Sequence, residues 1–337
     1  MILIRADANG TIGSGHVMRC LSIAKAFTDH GEQVCFVTAD NRGDDLINSR
    51  GFSSINLCSE WTCMEDELPD LIRVLNDLKP RLLLIDSYYV TEEYFHRLSS
   101  IVKTAYIDDL NQAVWDVDYL INYNVFATAY DYSSYADKRT ILMLNPKYAP
   151  LREEFRGLPK HIIKETVTDI LVSAGGADPE GISERLISGV CPAFKEVKFH
   201  FIVGALNPRI EELKELQGDN IILHINERNM SGLMRKCDIA VSAAGTTLYE
   251  LCAAGIPTIT YSLADNQCLA TEQFDTQKIM FSVGDCRGDA RFFDRIKERL
   301  KFLIENRRFR EDVSFRMQEL VDGYGADRLI DTISETN

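Results

Sequence analysis

The chain has 337 residues, 45% of them hydrophobic, and a formal net charge of −14, so we expect two compact domains and exclude nucleic acid and anionic membranes as partners. Nine cysteines without a C-x2-C pair exclude a disulfide framework and a zinc site, which indicates a reducing compartment. A charge at the fifth residue and the absence of a long apolar run argue against a signal peptide and a membrane span, so we expect a cytoplasmic protein.

Strand-like and helical segments alternate through the first part of the chain, from "ILIR" and "HVMRCLSIAKAFTDHG" to "RLLLID" and "KTAYID". Short apolar strands that are each followed by a helix are typical of a parallel sheet covered on both faces. The alternation breaks at the prolines of "LNPKYAPLREEFRGLPKHIIKET" and then resumes. We therefore predict two doubly wound α/β domains facing a cleft. The predicted boundaries are an N-terminal domain at 1–148, a linker at 149–165, a C-terminal domain at 166–310 and a helical tail at 311–337. The tail can pack back on the N-terminal domain.

The segment "ADANGTIGSGHVMRC" places Gly13 and Gly15 before His16, at the expected start of the first helix. Met18 stands where a dinucleotide-binding loop has its third glycine, which argues against nicotinamide or flavin binding, and the lack of Gly-Lys-Ser/Thr excludes a P-loop. Glycines let backbone N–H groups approach a ligand, and a helix N-terminus favours a neutral imidazole. Two interpretations stay open: His16 accepts a proton from water, or it only caps its helix.

Predicted strands of the first half end in acids: "IRAD" in Asp7, "RLLLID" in Asp86, and "TAYIDD" in Asp108 and Asp109. Because parallel strands bring their carboxyl ends to one edge of the sheet, we expect these acids near His16. A carboxylate at that place can orient the imidazole and stabilise its protonated form. The alternative is that such acids cap the helices that follow them.

In the second half, "VSAAGTTLYELCAAGIP" places Gly245 and Thr246 between a strand and a helix. Backbone N–H groups and hydroxyls at a helix N-terminus suit a diphosphate. Glu250 follows one turn later, where its carboxylate can accept both hydroxyls of a ribose or can be an ordinary surface glutamate.

Two further strand ends carry small or amide side chains. In "SLADNQ", Asn266 and Gln267 can serve sugar hydroxyls or phosphate oxygens, although turn chemistry alone also explains the segment. In "SAGGADPEG", Gly175 and Gly176 permit close approach of a ligand, and Asp178 before Pro179 indicates a helix N-cap.

A resemblance to a known family rests on segments in this order: "IRADANGTIGSGHVMRCLSIAKA", "LLLIDSYYV", "LREEF", "SAGGADP" and "TLYELCAAGIPTITYSLADNQ". Over about residues 1 to 285 the chain resembles the nucleotide-sugar hydrolases of pseudaminic acid biosynthesis and the spore-coat polysaccharide proteins. Its second half more distantly resembles the N-acetylglucosaminyltransferase of peptidoglycan synthesis. The resemblance implies the two-domain glycosyltransferase-B fold.

The resemblance also implies roles for single residues, with the catalytic and sugar-binding groups in the N-terminal domain and UDP bound by the C-terminal domain. His16 would activate the hydrolytic water, and Tyr88 would lie beside Asp86 in the catalytic site. Glu250 would bind the ribose, and the main chain near Ile225 the uracil. The remaining candidates for substrate binding are Arg5, Asp7, Gly13, Gly15, Gly175, Gly176, Gly245, Thr246, Asn266 and Gln267. We expect no cofactor and no metal, since helix N-termini and amides can disperse the charge of a departing UDP.

The sequence departs from the hydrolase pattern at "AAGTT", where a serine pair is expected and which is nearer to the transferases. Sugar transfer from a UDP-sugar donor is therefore a rival hypothesis. A lipid-linked acceptor would need a basic and apolar patch, which the sequence of the first half does not contain. A protein that binds nucleotide sugars without turnover is a further alternative.

Overall fold

The computed structural model describes residues 1–176, 178–204 and 207–335. The chain divides into two compact units. Unit 1 comprises residues 1–152 together with the chain from Tyr324 onward, and unit 2 comprises residues 153–323. Each unit contains one parallel sheet with helices between its strands, which confirms the predicted doubly wound α/β class.

The strands are β1 (Ile2–Ala6), β2 (Val34–Thr38), β3 (Ser53–Asn56), β4 (Leu82–Asp86), β5 (Thr104–Ile107), β6 (Tyr119–Asn122), β7 (Ile141–Leu144), β8 (Asp169–Ser173), β9 (Lys198–Val203), β10 (Ile221–Ile225), β11 (Ile239–Ala243), β12 (Thr258–Ser262) and β13 (Phe281–Asp285). The α-helices are α1 (Gly15–Asp29), α2 (Asp44–Ser49), α3 (Met64–Leu78), α4 (Glu92–Ser99), α5 (Ile182–Gly189), α6 (Ile210–Glu215), α7 (Met230–Lys236), α8 (Thr247–Ala254), α9 (Asp265–Thr276), α10 (Phe292–Glu305), α11 (Arg307–Leu320) and α12 (Gly325–Glu335).

The sheet of unit 1 has the strand order β3-β2-β1-β4-β5-β6-β7, and neighbouring strands run parallel. Every residue of β1 and β4 is buried, because helices cover both faces of these central strands. The chain order reverses between β1 and β4, where Ala6 pairs with Asp86. Ligands of open α/β sheets bind beside the carboxyl ends of the strands at such a reversal. Asp7 and Asp86 lie at this edge.

The sheet of unit 2 has the order β10-β9-β8-β11-β12-β13, again with parallel neighbours. Its reversal point lies between β8 and β11, whose residues are all buried. Apolar side chains of β8, β9 and β11 pack against α5 and α10, including Phe199, Phe201 and Leu300. Burial of each such side chain stabilises the fold by roughly 1.5–3 kcal/mol. None of the helices in the described ranges is both long enough and apolar enough to span a membrane.

The unit boundaries differ from the predicted domain boundaries at two places. The division after Arg152 falls inside the predicted linker, and the predicted tail is shared between the units. Helix α11 belongs to unit 2, while α12 belongs to unit 1 and packs on α1. The tail cannot continue as one helix, since Gly323 adopts a positive φ of 83° between α11 and α12. Amphipathic α12 then buries Leu329 and Ile330.

His161 makes the stability of unit 2 sensitive to acid. Its Nε2 is buried and has no hydrogen-bond partner among the described residues. Burial lowers the pKa of His161 to about 4, below the value near 6.5 of an exposed histidine. Between these two values the unfolded chain binds a proton that the folded chain does not. The free energy of unfolding therefore falls as the pH drops from about 6.5 towards about 4.

We expect wild type to lose about 2 kcal/mol more stability than His161→Leu between pH 7.5 and pH 5. Urea unfolding at the two pH values measures this difference. His96→Gln, at an exposed position on α4, is the control and should behave as wild type. Equal losses of unfolding free energy in wild type and His161→Leu would show that His161 does not cause the sensitivity to acid.

Candidate functional site

A closed glycine loop presents His16 in the first turn of α1. Asn9 and Gly13 pair through their backbones, and the side-chain oxygen of Asn9 accepts the N–H groups of Thr11 and Ile12. Gly13 has a φ of 73°, a conformation that other residues adopt only with strain. The loop thus leads directly into α1 at Gly15, as the glycine spacing predicts.

His16 forms a hydrogen-bonded pair with Asp86 at the end of β4. Its Nδ1 lies 2.6 Å from Asp86 Oδ1, and the side chain is only 10% exposed. An ionised carboxylate only accepts hydrogen bonds, so Nδ1 carries the hydrogen and the lone pair is on Nε2. This Nε2 makes no hydrogen bond to any described residue. The pair is an oriented imidazole with a free basic nitrogen.

Asp86 is held in its ionised form. Burial alone would raise the pKa of this carboxyl, which is 1% exposed, but the charge of Arg19 and the contacts with Arg19 and His16 hold the pKa well below its usual range. The sulfur of Cys20 also contacts Oδ2 of Asp86, at 3.5 Å. A permanent negative charge beside His16 stabilises an imidazolium when one forms.

Tyr88 packs edge-on against His16, with ring centroids 4.7 Å apart and an interplanar angle of 77°. Its hydroxyl donates to Asp109 Oδ2 at 2.9 Å, and Asn124 donates to the other oxygen at 2.7 Å. Burial and the charge of Asp109 raise the pKa of Tyr88 far above neutral pH. The Tyr88 hydroxyl is therefore protonated at neutral pH, and its ring lines one side of His16. Its contacts are with His16 and Asp109, where the resemblance implied a place beside Asp86.

Arg5 and Asp7, which the resemblance implied as substrate-binding residues, make structural contacts. Arg5 has no exposed surface, and its Nε and Nη2 each donate to Glu67 at 2.7 Å while Nη1 donates to Asp7 at 2.5 Å. The other oxygen of Asp7 accepts the N–H of Ala39 at 2.8 Å. Through these contacts, Arg5 and Asp7 hold β1 and β2 to α3.

The strand-end acids thus have separate functions. Asp86 and Asp109 contact His16 and Tyr88, whereas Asp108 accepts the backbone N–H groups of Leu110 and Asn111 and stabilises a turn. In unit 2, Asp178 accepts the N–H groups of Ile182 and Ser183 at the start of α5, but the N-cap residue is Gly181, so the prediction of Asp178 as the N-cap itself is wrong by three residues.

Sequence reasoning did not single out Arg19, although this residue contacts both carboxylates of the site. Its guanidinium donates to both oxygens of Asp86 at 2.6 Å and lies 2.9 Å from Asp109. The available signal was its spacing from His16, since residues three apart lie on one face of a helix.

Unit 2 presents the N-terminus of α8 at the end of β11. Gly245 and Thr246 are exposed there, and the Thr246 side chain makes no capping hydrogen bond. Glu250 lies in the first turn of the same helix and is partly exposed. Backbone N–H groups at the start of a helix attract anions.

The other predicted residues of unit 2 also lie at carboxyl ends of strands. Gly175, with a φ of 83°, and Gly176 are exposed after β8. Ile225 ends β10 and is 37% exposed. Asn266 is exposed at the start of α9, but Gln267 has a structural contact because its Oε1 accepts the N–H of Leu263 at 2.8 Å. Within the described ranges, no three His, Cys, Asp or Glu side chains form a metal site.

No protein-family model matches the chain. The chain is 28% identical over 253 residues to the UDP-2,4-diacetamido-2,4,6-trideoxy-beta-L-altropyranose hydrolase of Campylobacter jejuni, covering 74% of this chain and 86% of that protein. It is 25% identical over 296 residues to the spore coat polysaccharide biosynthesis protein SpsG of Bacillus subtilis, covering 83% of each. The chain is a relative of this hydrolase and SpsG group. Another relative of the chain is the uncharacterized protein MJ1062 of Methanocaldococcus jannaschii, with 24% identity over 273 residues, or 77% of this chain. The chain spans about half of the length of that protein, 54%.

Solved structures with the same architecture include MurG of Acinetobacter baumannii, with a TM-score of 0.69, 14% identity and 99% coverage of both chains. The spinosyn rhamnosyltransferase SpnG complexed with thymidine diphosphate also has a TM-score of 0.69, with 10% identity and 99% coverage of both chains. These likenesses confirm the glycosyltransferase-B fold for this relative of the hydrolase and SpsG group.

Proposed function

We propose that the protein hydrolyses a UDP-linked 2,4-diacetamido-trideoxy sugar at the anomeric carbon and releases UDP and the free sugar, in the biosynthesis of a pseudaminic-acid-type sugar or another surface polysaccharide. The observation that carries this proposal is the pair of His16 and Asp86, in which Nδ1 is bound and Nε2 has no hydrogen-bond partner in the part of the chain that the structure describes. The names of the hydrolase and SpsG relatives support the substrate class.

In the proposed reaction, Nε2 of His16 accepts a proton from a water molecule. The water oxygen attacks the anomeric carbon from the face opposite UDP, and the bond between that carbon and the diphosphate oxygen breaks with its electron pair going to UDP. Direct attack by water inverts the anomeric configuration. Asp86 stabilises the imidazolium that forms, because their atoms are 2.6 Å apart.

Unit 2 would bind the UDP moiety. The backbone N–H groups of Gly245 and Thr246 at the start of α8 suit the diphosphate, and their partial positive charge favours departure of UDP. Glu250 can accept the ribose hydroxyls, and the main chain at Ile225 can contact the uracil. Asn266 would donate to the sugar or a phosphate oxygen.

The test is release of UDP from purified protein and a panel of UDP-linked diacetamido sugars, with no acceptor added. We expect stoichiometric UDP and free sugar. The rival hypothesis is glycosyl transfer, which the "AAGTT" segment favours. UDP release that depends on an added hydroxyl acceptor would establish transfer, and binding without any release would establish a binding protein.

Glu250→Ala should weaken UDP binding by roughly 1.5–3 kcal/mol, the range for hydrogen bonds to a charged group. Isothermal titration calorimetry with UDP measures the change. Glu272→Ala, on the exposed surface of α9 in the same unit, is the matched control and should bind as wild type. Unchanged affinity of Glu250→Ala would remove Glu250 from the proposed nucleotide site.

A further inference from the structure

Arg19 lies one helical turn after His16 on α1 and is 7% exposed. Its Nε and Nη2 donate to the two oxygens of Asp86, both at 2.6 Å, so the fork of the guanidinium holds the carboxylate in one plane. Its Nη1 lies 2.9 Å from Asp109 Oδ2 and donates to the Tyr123 hydroxyl at 2.9 Å. Arg19 therefore joins the partner of His16 to the partner of Tyr88.

The charges of this cluster are nearly balanced. With one arginine and two carboxylates, the cluster has a net charge of −1 when His16 is neutral and of zero when His16 is protonated. Without Arg19 the sums would be −2 and −1. Nη2 of Arg19 also lies 3.3 Å from Nδ1 of His16, so its positive charge directly opposes a charge on the ring.

Three further titratable side chains contact the cluster and are uncharged at neutral pH. Burial, together with neighbouring carboxylates, raises the pKa of Cys20, Tyr88 and Tyr123 well above neutral pH. These groups lie on several elements: Cys20 and Arg19 on α1, Asp86 and Tyr88 on β4 and the turn after it, Asp109 after β5, and Tyr123 after β6. Arg19, Asp86 and Asp109 are therefore the charged groups in contact with His16 or with its hydrogen-bonded partner.

We propose that Arg19 is a positioning residue that keeps His16 unprotonated at rest by balancing Asp86 and Asp109, and that fixes the carboxylate plane which orients the imidazole. Two carboxylates without this cation would hold a proton on His16 and make it unable to accept one from water. With Arg19 present, His16 stays neutral until it accepts the proton of the attacking water. The kinetic part of this proposal rests on the proposed hydrolase function, whereas the proton affinity of His16 does not.

The experiment is an NMR titration of ¹⁵N-histidine-labelled protein without substrate, with the His16 signals assigned through His16→Asn. In Arg19→Gln, His16 should become protonated at a pH roughly one to three units higher than in wild type, the usual effect of uncompensated nearby charges. Arg19→Lys retains the positive charge, so His16 in this variant should become protonated at nearly the same pH as in wild type. Asp109→Asn removes one negative charge and should move the titration in the opposite direction, to lower pH.

Arg5→Lys is the matched control, because Arg5 is an equally buried arginine of the same unit with a carboxylate fork. It should leave the His16 titration unchanged. An unshifted His16 in folded Arg19→Gln would overturn the proposal. If Arg19→Gln does not fold, Asp109→Asn decides, since an unchanged or raised titration point in that variant overturns the proposal equally.

Kinetics separate this proposal from the proposed function. If wild type releases UDP, Arg19→Gln should have a lower kcat at neutral pH with little change in KM, and should recover at higher pH. Arg19→Lys should lose about 10- to 100-fold in kcat at every pH, because a single ammonium cannot hold the carboxylate plane. If wild type releases no UDP but the NMR shifts appear as expected, the hydrolase proposal fails and the assignment of Arg19 stands.

Discussion

His16→Asn should reduce the rate of UDP release by about 10²- to 10⁴-fold, the usual contribution of a general base. Asparagine has no lone pair on nitrogen at the place of Nε2, so it cannot accept the proton of the attacking water. Its amide can still donate to Asp86, which lies 2.6 Å from the imidazole in wild type. The variant should therefore retain the fold and a nearly unchanged affinity for UDP.

The measurement is kcat and KM for UDP release, combined with calorimetric titration of UDP. His30→Asn is a matched control because His30 caps the opposite end of α1 and is exposed. It should retain wild-type rates. Full activity of His16→Asn would exclude His16 as the base, and loss of UDP affinity in parallel with kcat would indicate a binding role.

Glu67→Gln should destabilise the protein by roughly 3–5 kcal/mol, the cost of removing one partner from a buried ion pair. Glu67 is 1% exposed and accepts two hydrogen bonds from Arg5 and one from the Tyr94 hydroxyl. A neutral amide leaves the buried guanidinium with Asp7 as its remaining charged partner. Urea unfolding of unit 1, followed through the fluorescence of Trp61 and Trp115, measures the loss.

Asp70→Asn provides the comparison, because Asp70 lies on the same helix and forms an exposed ion pair with Arg73. Surface pairs of this type contribute at most about 1 kcal/mol. A second variant, Arg5→Met combined with Asp7→Asn and Glu67→Leu, should recover much of the lost stability, since it removes all three charges together and leaves no buried charge unpaired. A loss in Glu67→Gln no larger than in Asp70→Asn would show that Arg5 does not depend on Glu67.

Much of the candidate site was predictable from local sequence. The glycine loop before an amphipathic helix locates His16 at a helix start, and acids after apolar strands locate Asp86 and Asp109 at the same sheet edge. Arg5 shows the limit of this reasoning. It lies two residues from Asp7 and looks like a ligand-binding arginine in the sequence, but its main partner is Glu67, 62 residues later. No local pattern predicts such a pair, because it forms only when α3 packs on β1.

Hydrophobic periodicity and turn chemistry were enough to predict that the strands run parallel, that helices separate them, and that polar residues lie where the strands end. The identity of the acid that contacts His16 follows from the packing of the strands and is not visible in the sequence. The order β1-β4-β5 places Asp86 beside β1 and brings Asp109 to Tyr88, while Asp7 is already bound to Arg5 and Ala39. The tertiary structure also decided that Arg19 joins the two carboxylates and that α12 returns to unit 1. These contacts join residues that are far apart in the chain, so they depend on which elements pack together and not on the local sequence around each residue.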